Sequence, residues 1–296
     1  MRRLSVCLTF LLLLTAGRLS AQERVMPPLD RAKLPEAARN LPLDRLSSGA
    51  LMLLNNDDML VAPRPLSAKG ATAARAEENA PVALDLRIGA NIRLGNDPPQ
   101  LPATMRAQAE PHIARSLSTQ DWLVATFQEG RFATDGGAVD VGFSTSHDGG
   151  LTWTRTLLPN LTQAAGGPYY RATDPVVAFD AANSVYITTD AATDATFANG
   201  VITVSKSSNG GASFAAPAVV YRPPDNSVFP DKEWIAVNSS AGTPHFGRVV
   251  VTWTLFSNTK QNVNPIVLSY SDNGGANFSP VRNVTAPGTS VQGSQP

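Results

Sequence analysis

The sequence holds a single cysteine, Cys7, which sits in the amino-terminal apolar run, so a chain processed after that run has no thiol. A disulfide framework, a cysteine metal site and a cysteine nucleophile are thereby excluded. Histidine is equally scarce: His112, His147 and His245 stand far apart, without the close pairing that a histidine metal site uses. Neither sign of charge dominates, since 24 Lys and Arg balance 24 Asp and Glu, and no basic run occurs. Nucleic acid and membrane surfaces are therefore not indicated as partners. The apolar run Leu4 to Thr15 is too short to cross roughly 30 Å of hydrocarbon. No motif calls for a cofactor or a metal.

What is present begins with an export pattern. Met1-Arg2-Arg3 supplies positive charge, the run to Thr15 supplies apolar length, and Leu19-Ser20-Ala21 offers small residues before a cut ahead of Gln22. That order predicts a signal peptide over residues 1–21 and a secreted or periplasmic location, with no membrane span after cleavage. Residues 22–82 read as a Pro- and Ala-rich extension and linker, interrupted by Pro27, Pro28, Pro35, Pro42, Pro63 and Pro65. Short helices near 31–40 or 43–54 are compatible with it. From Ala83 to Leu94 the residues alternate as a strand does, which opens a domain over 83–296.

That domain is repetitive. One octapeptide occurs as Ser146-His147-Asp148-Gly149-Gly150-Leu151-Thr152-Trp153, then as Ser207-Ser208-Asn209-Gly210-Gly211-Ala212-Ser213-Phe214. It returns as Ser271-Asp272-Asn273-Gly274-Gly275-Ala276-Asn277-Phe278, at spacings of 61 and 64 residues. Each copy has the parts of a tight hairpin: Asp or Asn to nucleate the turn, a Gly pair for positive φ, and an aromatic to fold back. Strand-like runs surround each copy, for example Trp122 to Gln128 and Val139 to Ser144, or Val185 to Thr189 and Val201 to Ser205. Four strands per unit predict an all-β fold, a partial β-propeller of about three blades. The units open with Glu110-Pro111, Asp174-Pro175 and Glu233-Trp234, and Gln295-Pro296 falls where a fourth opening is due. The sequence is thus expected to hold part of a longer ring, with an open blade edge available for pairing.

The octapeptides resemble the Asp-box, or BNR, repeats of the sialidase (neuraminidase) superfamily. The stretch Val124 to Trp153 is similar to a sialidase first blade, with Glu129-Gly130-Arg131 as its Glu-x-Arg element and Asp135 as its loop aspartate. The resemblance implies a six-bladed propeller and an exo-glycosidase of sialidase type acting on a carbohydrate or glycoconjugate. It implies Arg131 as a clamp on the substrate carboxylate and Asp135 as the acid/base. The family's first arginine has no counterpart here, because Glu110-Pro111-His112-Ile113 occupies its place. Tyr169, Tyr170 and Arg171 do not match the position of the family's tyrosine nucleophile.

Independently of the resemblance, Glu110, Asp174 and Glu233, with Asp231 beside the last, fall at corresponding blade openings. There innermost strands converge on the propeller axis. Two readings stay open. Such acids can form a ligand-binding ring that repels anions and suits a cation or a neutral or amino-bearing ligand, with Lys232 and Arg171 as partial counter-charges. Alternatively they hydrogen-bond backbone groups of the neighbouring blade. The function is accordingly either an exo-glycosidase or a non-catalytic glycan- or protein-binding propeller.

Overall fold

The computed structural model describes residues 91–132, 137–195, 200–225, 227–257 and 263–296. The signal-like segment, the extension to residue 82, Asp135 and most of the strand expected over 83–94 lie outside these residues. Residues 91–94 are irregular, so the expected strand does not reach Leu94. Instead the Leu94 carbonyl accepts a hydrogen bond from Ser144 Oγ at 2.6 Å, and this segment runs beside the first sheet.

Three four-stranded antiparallel sheets follow in chain order. The first holds β1 (Gln108–Arg115), β2 (Leu123–Arg131), β3 (Ala138–Ser146) and β4 (Thr154–Leu157). The second holds β5 (Arg171–Phe179), β6 (Val185–Ala192), β7 (Gly200–Ser207) and β8 (Ala218–Tyr221). The third holds β9 (Val228–Val237), β10 (Val249–Ser257), β11 (Ile266–Ser271) and β12 (Arg282–Asn283). Each is a meander in which sequence order equals spatial order, the blade of a β-propeller. The fold is a partial β-propeller of three blades.

Burial explains the strand composition. The middle strands carry Val, Ile, Thr and Phe, and adjacent blades bury these side chains against each other. Val124, Val141 and Phe143 of blade one meet Val177, Phe179, Val185, Ile187 and Phe214 of blade two in one cluster. Val176, Tyr186, Ile202 and Val204 meet Ile235, Val251, Trp253 and Val267 in the next. Among the described residues no helix is long and apolar enough to cross a membrane.

The octapeptides form the turns between the third and fourth strands. In the second copy Ser207 Oγ accepts the Gly211 amide at 2.9 Å and donates to Asn209 Oδ1 at 2.7 Å, while Asn209 Oδ1 accepts the Ser213 amide at 3.0 Å. The same bonds recur from Ser146 and Asp148 and from Ser271 and Asn273. The Gly pair also docks one blade on another. A Cβ on Gly210 would stand 2.3 Å from the Trp122 ring, and one on Gly211 would stand 2.4 Å from Val124. His147 Nε2 lies 2.9 Å from the Gly210 carbonyl, and Thr145 Oγ1 donates to the Gly211 carbonyl at 2.7 Å.

At the opposite end of the blades the inner strands bulge. Opposite Phe127 stand two residues, Glu110 and Pro111, since Ala109 pairs with Gln128 and His112 with Thr126. Asp174 and Pro175 face Thr189 in the same way, and Lys232 and Glu233 face Trp253. The first residue of each bulge is left-handed: φ is +49° at Glu110, +50° at Asp174 and +54° at Lys232. A bulge needs no ladder N–H at its extra residue, which is how Pro111 and Pro175 sit inside strands that run on through them. In blade three the residue equivalent to Glu110 and Asp174 is Lys232, and Glu233 is equivalent to the two prolines. The sequence alignment of Glu233 with Glu110 and Asp174 is therefore one residue out of register.

Candidate functional site

The three bulges place their leading side chains against one another. Lys232 Nζ lies 2.8 Å from Glu110 Oε2 and 3.0 Å from Asp174 Oδ2, joining blade three to blades one and two. Asp174 Oδ1 accepts Gln128 Nε2 at 2.9 Å and Thr173 Oγ1 at 2.9 Å, and Gln128 Nε2 also reaches Thr173 Oγ1 at 2.6 Å. Glu110 and Asp174 hydrogen-bond to each other as well. These partners are side chains from three blades rather than the backbone of a neighbour. Immediately after the bulges, His112 and Trp234 meet edge to face at 5.2 Å, and His112 Nδ1 accepts the Val177 amide at 3.3 Å. Burial lowers the His112 pKa, which keeps the ring neutral and able to accept that bond.

The environment drives the two facing carboxyls apart in proton affinity. Glu110 is pushed up to about 7, first by burial and then by its bond to Asp174 and that residue's charge, against the pull of Lys232. For Asp174 burial acts upward, but the hydrogen bond from Glu110 and the Lys232 charge outweigh it, and its pKa is lowered. Lys232 is raised because its two carboxylates outweigh its own desolvation.

Behind this rim lies a deeper layer of acid. Asp190, on β6, and Glu233 are each 2% exposed. Burial, followed by the charges of neighbouring acids, raises both far above the ordinary carboxyl range; for Asp190 these are Glu233, Asp231 and Asp174. Both oxygens of Glu233 and one of Asp190 have no hydrogen-bond partner, and neither do Trp253 Nε1 and Thr254 Oγ1. Asp231 is pushed to about 7 by burial and the Asp174 charge, and Gln292 Nε2 reaches its Oδ2 at 3.4 Å. No group of three His, Cys, Asp or Glu among the described residues is arranged to hold a metal ion.

The residues singled out in the sequence thus divide. Glu110 and Asp174 are brought together by Lys232, while Asp231 and Glu233 flank that lysine on β9. Arg171 lies over Phe132 at 4.7 Å and donates to the Ala195 carbonyl at 3.1 Å. Arg131 ends β2 opposite Ala138, at the end of the sheet where β1 begins. Its neighbour Glu129 is fully buried and holds Gln108 Nε2 at 2.6 Å and Arg155 Nε at 3.0 Å. Asp190 was missed by the sequence reading. Its signal was an ionisable residue closing the run Val185-Tyr186-Ile187-Thr188-Thr189, where every neighbour is buried.

No protein-family model matches the chain, and no curated protein matches it. Solved structures do. A protein of unknown function from Dyadobacter fermentans aligns at 16% identity over 60% of this chain and 50% of its own, with a TM-score of 0.45. The Hadza microbial sialidase Hz136 aligns at 15% identity over 60% of this chain and 38% of its own, with a TM-score of 0.43. An α-L-arabinanase from Penicillium chrysogenum aligns at 15% identity over 64% of this chain and 53% of its own, with a TM-score of 0.43. The chain thus spans about half the length of these structures or less, and likenesses of this grade say nothing about activity.

Proposed function

We propose that this chain is a carbohydrate-active propeller of the glycoside-hydrolase kind, with its site at the converging bulges of β1, β5 and β9. The observation that carries the reading is the convergence of two carboxyls from different blades on one ammonium, Lys232 Nζ at 2.8 Å from Glu110 Oε2 and 3.0 Å from Asp174 Oδ2, each on a left-handed bulge residue. Glycosidic cleavage uses an acid and a carboxylate about 5 to 9.5 Å apart, so a substrate has to part these two carboxyls, which hydrogen-bond to each other in the free chain, before they flank the scissile bond. Glu110 holds a proton near neutral pH and gives it to the leaving oxygen. Asp174 stays ionised and faces the developing positive charge of the sugar ring as base or nucleophile. Lys232 orients both and keeps the pair from carrying two uncompensated charges. Left-handed backbone on three non-glycine residues costs about 1–3 kcal/mol each, and strain of that kind gathers at functional sites.

A sialidase-type site with Arg131 as clamp and Asp135 as acid/base is the second reading. It is favoured by the position of Arg131 at the site end of β2 and by the repeat resemblance, and disfavoured by the acids a sialate carboxylate would meet. A glycan- or protein-binding propeller without chemistry is the alternative to both. Export is part of the proposal and rests on the amino-terminal pattern alone.

The test is turnover of a panel of neutral, amino and sialic 4-nitrophenyl glycosides between pH 4 and 8. The proposal expects hydrolysis of a neutral or amino glycoside, lost by about a hundredfold or more in Glu110→Gln and Asp174→Asn. Turnover of the sialoside alone would move the assignment to Arg131 and Asp135, and binding without turnover of any substrate would leave the non-catalytic alternative.

A further inference from the structure

One rung past the bulges, β1 carries His112, β5 carries Val176 and β9 carries Trp234. Val176 is buried between blades two and three, but His112 and Trp234 are only half-buried. Their rings meet edge to face at 5.2 Å. Blade two packs against both blade one and blade three, so this contact between blades one and three is made across the inner edge of blade two. It adjoins the rung at which Glu110, Asp174 and Lys232 converge.

The bond to blade two fixes the state of the imidazole. A backbone amide can only donate, so Nδ1, which takes the Val177 N–H at 3.3 Å, carries no proton. In the neutral ring the proton is then on Nε2. That N–H has no hydrogen-bond acceptor among the described residues and is not shut away from solvent, and the same holds for the Trp234 indole N–H. Resting on the carbohydrate reading above, we infer that His112 and Trp234 form a subsite for a neutral sugar unit beside the acid pair, with His112 Nε2–H donating to a sugar hydroxyl and the indole giving flat apolar surface to the ring. The chemistry of the donors selects the class. A hydroxyl oxygen accepts from a fixed N–H, whereas a ligand ammonium only donates and would find no acceptor at Nε2. A sugar carboxylate would accept the same bond but would lie beside Glu110 and Asp174. Indole suits the apolar face of a sugar, since it combines a large rigid surface with a polar edge.

The two nitrogens of His112 have separable tasks. Asparagine sets an amide near the Nδ1 position, where it can still cap the Val177 N–H, but it does not reach as far as Nε2. Glutamine carries a donor out to the Nε2 position and leaves the Val177 N–H without its acceptor. A histidine that only caps the edge of β5 would be replaced best by asparagine; one that binds a sugar would be replaced best by glutamine.

Titration of the chain, labelled with nitrogen-15 in its histidine rings, with glucose, galactose and xylose tests this by NMR. Glucuronate serves as the charged counterpart, and the His112 signals are assigned through His112→Asn. A neutral sugar is expected to move the His112 Nε2 signal. Its affinity should fall about fivefold or more in His112→Asn and about tenfold or more in Trp234→Ala, and stay within about twofold in His112→Gln. The thermal midpoint of His112→Asn should match that of the unaltered chain, which separates lost binding from lost folding. Undiminished affinity in His112→Asn, or a neutral sugar bound with the His112 signals unmoved, overturns the inference and leaves the carbohydrate reading intact. Glucuronate bound more tightly than every neutral sugar also overturns it. No neutral sugar bound overturns it too, and the carbohydrate reading falls with it if no glycoside is turned over either. A neutral sugar bound at His112 with no glycoside turned over sinks hydrolysis alone.

Discussion

The two ends of these blades use the same backbone device for opposite purposes. At the octapeptide end, left-handed φ falls on Gly149, Gly150, Gly210, Gly211, Gly274 and Gly275, where no Cβ resists it. The serine and Asp or Asn side chains there are hydrogen-bonded within the turn. At the bulge end, left-handed φ falls on Glu110, Asp174 and Lys232, and the buried acids behind them keep unpartnered oxygens. One end is relaxed and satisfied; the other is strained and under-satisfied. A protein gains nothing in stability from the second arrangement, so the contrast separates the scaffold from the site.

That contrast can be broken by substitution, beginning with the largest effects. At the site end, Asp174→Asn should abolish turnover by about a hundredfold or more while leaving the fold intact, because it removes a charge and keeps the shape. At the scaffold end, Gly210→Ala should do the reverse. Its φ is +68°, and the new Cβ would stand 2.3 Å from the Trp122 ring, so a loss of about 2–4 kcal/mol in denaturant unfolding is expected.

Stability should also fall as pH rises, measured as the thermal midpoint between pH 5 and 8. Glu110, Asp231 and Asp140 are each raised to about 7 in the folded chain, and Asp190 and Glu233 further still. Acids with raised folded pKa values stabilise fully below their unfolded values near 4, and that contribution is lost as pH climbs through the folded ones. Asp174 acts oppositely, but its stabilisation is lost only below about pH 4 and lies outside this window. Asp190→Asn should flatten the slope and raise the midpoint at pH 8 by several degrees. A midpoint that climbs from pH 5 to 8 would show that the buried acids are charged and paired.

Smaller effects sharpen the comparison. Ser207→Ala deletes the acceptor for the Asn209 and Gly211 amides and should destabilise by about 1 kcal/mol. Glu110→Gly relieves a left-handed residue at a part-exposed ion pair, so the folded chain should be no less stable, or more stable by up to about 1 kcal/mol, while losing activity. Clear destabilisation by Glu110→Gly would mean that the bulge is scaffold rather than site.

Much of this was legible in the sequence. The octapeptides fixed the turn positions because their chemistry is local, and the paired apolar runs around them fixed the middle strands. Inner strands were harder. Pro111 and Pro175 read as strand openings, yet the strands begin at Gln108 and Arg171 and pass through the prolines at bulges, a feature set by pairing with β2 and β6. The acidic openings were visible, but the register was not: the shift from Glu233 to Lys232 depends on which residue faces Trp253. Asp190 was hidden for a similar reason. Its role comes from the approach of β9 to β6, a contact between blades that no periodicity within one strand records.

The most direct test of the central claim is a carboxyl titration by carbon-13 NMR, with Asp and Glu labelled and signals assigned through Glu110→Gln and Asp174→Asn. The account predicts that the Glu110 carboxyl titrates near 7 and the Asp174 carboxyl below its ordinary value. Two carboxyls titrating together near 4 would contradict it, and the bulge cluster would then be an ion pair between blades and nothing more.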